Sequence, residues 1–186
     1  MLLLLLGILL FAGVHFVPSL APGLKRNTVS KIGENGYKGI FSLLLLAALA
    51  LIIFGWRSTQ PDFIYMPSPA LHQPALAILV LAFLLFVVSN RKSRLRQVVR
   101  HPQLTGVALW GIAHLLLNGE DRSVLLFGGL SLWAIGEIIA INRRDGEWVK
   151  DEVPGWGSEV VTVVITLVVV GVLVAIHPWL SGMPVR

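Results

Sequence analysis

The hydrophobic positions of this chain form long, nearly unbroken runs instead of period-2 alternation or a narrow helical stripe, and runs of this kind are helices whose solvent is lipid. LLLLLGILLFAG opens the chain and LVVVGVLVAI stands near its end. A helix needs roughly 20 apolar residues to cross about 30 Å of hydrocarbon. Six stretches reach or approach that length: Met1–Leu20, Tyr37–Trp56, Gln73–Ser89, Pro102–Asn118, Ser123–Asn142 and Glu159–Trp179. Turn formers separate them, among them Pro22-Gly23, Gly33, Gly36, Pro61, Gly119 and Pro154-Gly155. The expected fold is all-α, a single polytopic membrane bundle of about six helices over residues 1–186.

Composition supports this class. The chain is 55% hydrophobic and 13% charged, with a mean hydropathy of +0.79. Lys and Arg set orientation, because loops rich in them stay in the cytoplasm. Of the 15 basic residues, all but Arg57, Arg122 and Arg186 fall in or beside the first, third and fifth loops. Those loops are expected to be cytoplasmic, which places both termini on the outer, periplasmic side. The net charge of +5 is concentrated at these membrane ends, where anionic lipid accounts for it, and nucleic acid is not expected as a partner. The first run lacks a positive segment before it and is read as a retained helix, not a cleaved signal.

The chain has no cysteine, which excludes disulfides, thiolate clusters and covalent haem attachment through CxxCH. Imidazole is left as the metal ligand. His72 and His177 precede prolines at the outer ends of spans and are expected at headgroups or water. His114 lies inside its span, roughly 18 Å from Pro102 at 1.5 Å per residue. Residues four apart share a helix face, so Gly106, Trp110, His114 and Asn118 form one stripe beside Gly111. Iron ligation and a simple interhelical hydrogen bond both account for such a stripe. His15, in GVHFVPS, has the same two readings: a bond to a backbone carbonyl loosened by Pro18, or axial coordination.

His101 follows Arg100 and precedes Pro102 at a helix start. There the free N–H groups suit a propionate, phosphate or carboxylate, or simply a lipid-facing cap. Glu137 is the only carboxylate inside a span and shares a face with Trp133. It reads as a satisfied buried acid or as a partner that orients a histidine or accepts a proton. Tyr37 and Lys38 read as an interfacial anchor. The run NRKSRLRQVVR reads as topology and lipid contact. No Walker A, GxSxG, HExxH or paired catalytic carboxylates occur.

GVHFVPSL, GENGYKGIFSL, RHPQLTGVALWGIAHLLLNG and NRRDGEWVK, in this order, resemble the NnrU family of bacterial integral membrane proteins over roughly Leu6 to Lys150. The last span adds little to this likeness. The resemblance implies a multi-pass inner-membrane protein associated by name with nitrite and nitric oxide metabolism. The more distant plastid ζ-carotene isomerase is similar too, and implies haem b. On that basis His15 and His114 are the expected metal ligands. His101, Arg100, Trp110, Asn118 and Glu137 would complete the cofactor site, and His101 is the alternative partner of His15. The partners implied are membrane lipid and either an apolar polyene substrate or a nitric-oxide-related redox partner. RHPQLTG also resembles the Arg-His-Pro motif of membrane methyltransferases that use S-adenosylmethionine. That motif has a tyrosine where Leu104 stands here, and Ile138 replaces a second acid after Glu137. A non-catalytic assembly factor is the third reading.

Overall fold

The computed structural model describes residues 1–181. Long helices dominate it: α1 (Leu2–Leu20), α2 (Pro22–Ser58), α3 (His72–Ser89), α4 (Pro102–Leu117), a short α5 (Asp121–Ser123) that runs through a π-helical turn (Val124–Gly128) into α6 (Gly129–Asp145), and α7 (Trp156–Ser181). Five helical stretches are long and apolar enough to cross a membrane. The remaining one, α4, has 16 residues, or about 24 Å of rise, short of the roughly 30 Å core.

Neighbours pack in the order α2, α1, α6, α4, α3, α7, with α1 and α4 both resting on α6. The core junction is Ala108 of α4 with Trp133 and Ala134 of α6, walled by Phe11, Ala12 and Phe16 of α1. Many other apolar side chains point outward, as they do when lipid is the solvent: Leu9, Leu43, Val168 and Leu132 are all exposed. Close approach of α4 to α6 depends on Gly111, because a Cβ there would overlap Ser131 Oγ and lie 2.6 Å from the Phe127 carbonyl.

The second span begins earlier than hydropathy suggests. Helical hydrogen bonding starts at Pro22, and the element bends at Gly33, whose φ of 76° and ψ of 166° are open to glycine alone. Segment 22–32 is thus a polar helical arm on the membrane-crossing part, 34–58.

The basic loops share one end of the bundle, called here the basic end. The third loop is more engaged than lipid contact alone would make it. Glu159 of α7 accepts hydrogen bonds from Ser93 Oγ at 2.9 Å and Arg94 N at 2.8 Å, Arg91 donates to Thr162 at 3.1 Å, and Arg96 pairs with Asp151. At the far end, residues 62–65 are strapped to 119–121. Ile64 N donates to Gly119 O at 2.8 Å, Asp121 N to Asp62 O at 2.8 Å, and the Tyr65 hydroxyl to the carbonyls of Leu115 and Asn118.

Candidate functional site

The two intramembrane histidines are built alike. His15 Nδ1 lies 2.8 Å from the carbonyl oxygen of Phe11, and His114 Nδ1 lies 2.8 Å from that of Trp110. A carbonyl oxygen only accepts, so Nδ1 carries the hydrogen in both rings, and a neutral imidazole then keeps its lone pair on Nε2. A helix supplies this arrangement cheaply, since the carbonyl four residues back lies on the same face. It is also the tautomer that a metal-binding histidine adopts when its other nitrogen is held.

Aromatic rings surround each imidazole. His15 contacts Phe11 at 4.3 Å, Trp133 at 4.9 Å and Phe41 at 5.5 Å between ring centroids, drawing on α1, α6 and α2. His114 stacks on Phe127 at 4.4 Å with an interplanar angle of 25°, and on its other side meets Trp110 at 4.7 Å. The π-helical turn presents Phe127 at this point.

The histidines do not meet. Their α6-side neighbours, Trp133 and Phe127, are six positions apart in sequence, roughly 9 Å of helical rise. Among the described residues no ring contact or hydrogen bond joins His15 to His114, and the core ring of Trp133 lies between α1 and α4. His114 instead lies within electrostatic reach of His177, at the end of α7. No group of three or more histidine or acidic side chains that could hold a metal ion occurs among the described residues.

The region beside His15 contains two orphaned polar atoms. Among the described residues Trp133 Nε1 and Tyr37 Oη are buried without a hydrogen-bond partner, and Tyr37 reaches the His15 cluster through Phe41, 6.1 Å away. An unpaired buried donor costs about 1–3 kcal/mol. One of these donors belongs to the indole that touches His15, and the other to the ring that packs on Phe41 next to it.

The remaining expected residues are distributed along the bundle. Glu137 is buried one turn below Trp133, and its Oε2 lies 2.9 Å from Ser19 Oγ of α1. His101 Nε2 is 2.9 Å from Asn142 Oδ1, and Arg100 donates to the carbonyl of Gly146 at 2.8 Å. Both therefore attach the start of α4 to the end of α6, while Glu137 pairs with α1. Asn118 closes α4, with its Nδ2 donating to the His114 carbonyl at 2.9 Å. Glu34 and Lys38 form an exposed i,i+4 pair at 3.5 Å, and Lys25 sits over the Tyr37 ring.

Sequence reasoning passed over Phe11, Phe41, Phe127 and Ser19. A signal for the first was present: an aromatic residue stands four positions before each of the two histidines, Phe11 before His15 and Trp110 before His114.

A family model described as NnrU protein matches residues 3–185, so the likeness extends well past Lys150 into the last helix. No curated protein and no solved structure matches the chain.

Proposed function

Because the chain belongs to the NnrU family, we propose that this multi-pass membrane protein holds haem b through an imidazole Nε2, with its basic end in the cytoplasm of a bacterial inner membrane. One observation carries the reading: both intramembrane histidines donate from Nδ1 to a helix carbonyl and keep Nε2 for a ligand. The donor chemistry fits iron, since neutral imidazole is a common haem ligand. His15 takes the primary role, because the unpaired Trp133 and Tyr37 donors belong to its surroundings. His114 is the second candidate, and ligation of one haem by both calls for α1 and α4 to move apart around Trp133. Arg100 and His101 support the site through the end of α6.

Bound there, haem b would supply reversible iron chemistry toward nitric oxide or toward a double bond. The chain's part is to fix the imidazole tautomer, exclude water with Phe11, Phe41 and Trp133, and offer the N–H of Trp133 and the O–H of Tyr37. That wall is apolar enough for a long polyene, which keeps cis–trans isomerisation as the second activity beside nitric-oxide-linked chemistry.

Absorption spectroscopy of protein purified from iron-supplied cells tests the proposal. A Soret band that moves on reduction and on nitric oxide addition is expected, lost in His15→Ala and retained in His101→Ala. A wild-type spectrum without that band, or one unchanged in both His15→Ala and His114→Ala, overturns it. Titration with S-adenosylhomocysteine separates this reading from methyl transfer, because saturable binding is expected only for a methyltransferase.

A further inference from the structure

Two cavities open at the basic end, and they share a wall. The larger, about 510 Å³, is bounded by Arg91, Lys92 and Arg96 but also by Asp151 and Glu152. The smaller, about 220 Å³, lies between the end of α3 and the start of α4, where Arg96, Arg100, His101 and Gln103 line it beside Leu104 and, among the described residues, no acid does. Ser89 and Arg96 belong to both. Pockets for drug-sized ligands run to about 300–1,000 Å³, so the smaller cavity suits one compact group.

The two guanidiniums still have free donors. Arg96 gives Nε to Asp151 at 2.8 Å and Nη1 to the Ser89 carbonyl at 3.1 Å, and Arg100 gives Nη1 to the Gly146 carbonyl at 2.8 Å. A guanidinium has five N–H groups, so Nη2 of each arginine is left without a hydrogen bond among the described residues. Its planar fork matches the oxygens of a phosphate. The nearby acids do not cancel this charge: Asp145 acts on Arg100 but both its oxygens are bonded to Arg144, and from Arg91 to His101 the chain has five Lys and Arg and no acid. A second observation is apolar. Val98, between the two arginines, is 77% exposed, as are most of Val149 and Trp156, although the third and fifth loops are polar and are tied together through Arg96, Gln97 and Asp151. Trp156 lies against Arg94, 4.3 Å from its ring centroid, at the start of α7. Exposed aliphatic and tryptophan side chains beside cations are what a membrane interface selects.

We propose that the smaller cavity is a binding site for the headgroup phosphate of an anionic phospholipid, with Arg96 and Arg100 as its donors and Val98 and Trp156 seated in the surrounding interface. Basic pockets between membrane helices hold acidic headgroups in this way. A zwitterionic headgroup brings an ammonium with its phosphate, and the same guanidiniums repel it, so the site prefers a lipid of net negative charge. The exposed apolar residues make the source a lipid and not free phosphate. The site does not rest on the haem reading, because none of its donors ligates iron there.

Native mass spectrometry of the full chain in detergent, incubated with equal amounts of phosphatidylglycerol and phosphatidylcholine of matched acyl chains, tests it. Retention of phosphatidylglycerol over phosphatidylcholine is expected, weakened by about tenfold in Arg100→Gln, where a charged donor is lost. Arg57→Gln, which removes an exposed cation at the far end of α2, is expected to retain lipid as wild type does. Equal retention of the two lipids overturns the proposal, as does an equal loss in Arg57→Gln and Arg100→Gln. If Arg100→Gln does not fold, Val98→Asp places an acid at an exposed position beside the cavity, and wild-type retention in that variant overturns it. Calorimetric titration with inorganic phosphate separates the sources: saturable binding that is lost in Arg100→Gln, without a preference for phosphatidylglycerol, assigns the cavity to free phosphate and overturns the lipid site.

Discussion

His15 and Trp133 face each other across α1 and α6, and four residues further along both helices Ser19 meets Glu137, so one offset of 118 positions serves two successive rungs. This register, repeated one turn apart, holds the imidazole against the indole.

Trp133 has a ring that the core needs and an N–H that finds no hydrogen-bond partner among the described residues. Trp133→Phe removes the orphaned donor and keeps most of the packing, so thermal stability in detergent is expected to stay level or rise slightly. Trp133→Ala opens a cavity at the three-helix junction and is expected to cost about 3–5 kcal/mol. A loss in Trp133→Phe as large as in Trp133→Ala shows that Nε1 has a partner after all.

Gly111 and Gly128 make a matched pair. A methyl group at 111 meets Ser131 and Phe127, whereas at 128 it meets nothing within 4 Å. Gly111→Ala is expected to cost about 1–3 kcal/mol by pushing α4 from α6. Gly128→Ala is expected to be neutral or mildly stabilising. Equal melting shifts in the two variants argue against the close contact.

The ion pairs differ in burial. Arg122 meets Glu120 at 2.9 Å with both side chains about 85% covered, and lies 4.5 Å from the Trp56 ring centroid. Removing one partner of a buried pair costs about 3–5 kcal/mol, which is an upper bound here because some solvent reaches both. Arg96 and Asp151 are far more exposed, and Arg96→Ala is expected to cost no more than about 1 kcal/mol. Chemical or thermal unfolding of the two alanine variants should separate them clearly.

Tyr65 titrates above the ordinary tyrosine value of 10.0 because burial disfavours its phenolate. A raised folded value means that the folded state holds the proton longer than the unfolded one. The stability it contributes is therefore present below about pH 10 and is lost as pH climbs through the folded value. Alkaline ultraviolet titration should show the strap releasing in wild type, and Tyr65→Phe should lack that step. Identical alkaline profiles count against a strap held by this hydroxyl.

Much of the architecture was legible because lipid demands long apolar runs. Even the short α4 was visible in Pro102 at one end and Asn118 at the other. Its stripe was legible too: Trp110, His114 and Asn118 do lie in hydrogen-bonding succession, and Gly111 does meet a neighbour. The α2 start at Pro22 was not, since hydropathy sees only the apolar part and a Gly33 bend leaves no periodic trace. Nor was the placement of the imidazoles relative to each other. Spacing fixes the face of a helix, but which neighbour covers that face depends on packing, and a π turn at 124–128 changes what α6 presents to each partner. Ser19 gave no signal, because a serine near a helix end has many ordinary roles.

The strap that joins 62–65 to 119–121 links the connection after α2 to the connection after α4 by backbone hydrogen bonds. Because the hydroxyl of Tyr65 reaches back to the last turn of α4 as well, the two connections and the end of that helix form one tied unit, and loosening any one of them loosens all three.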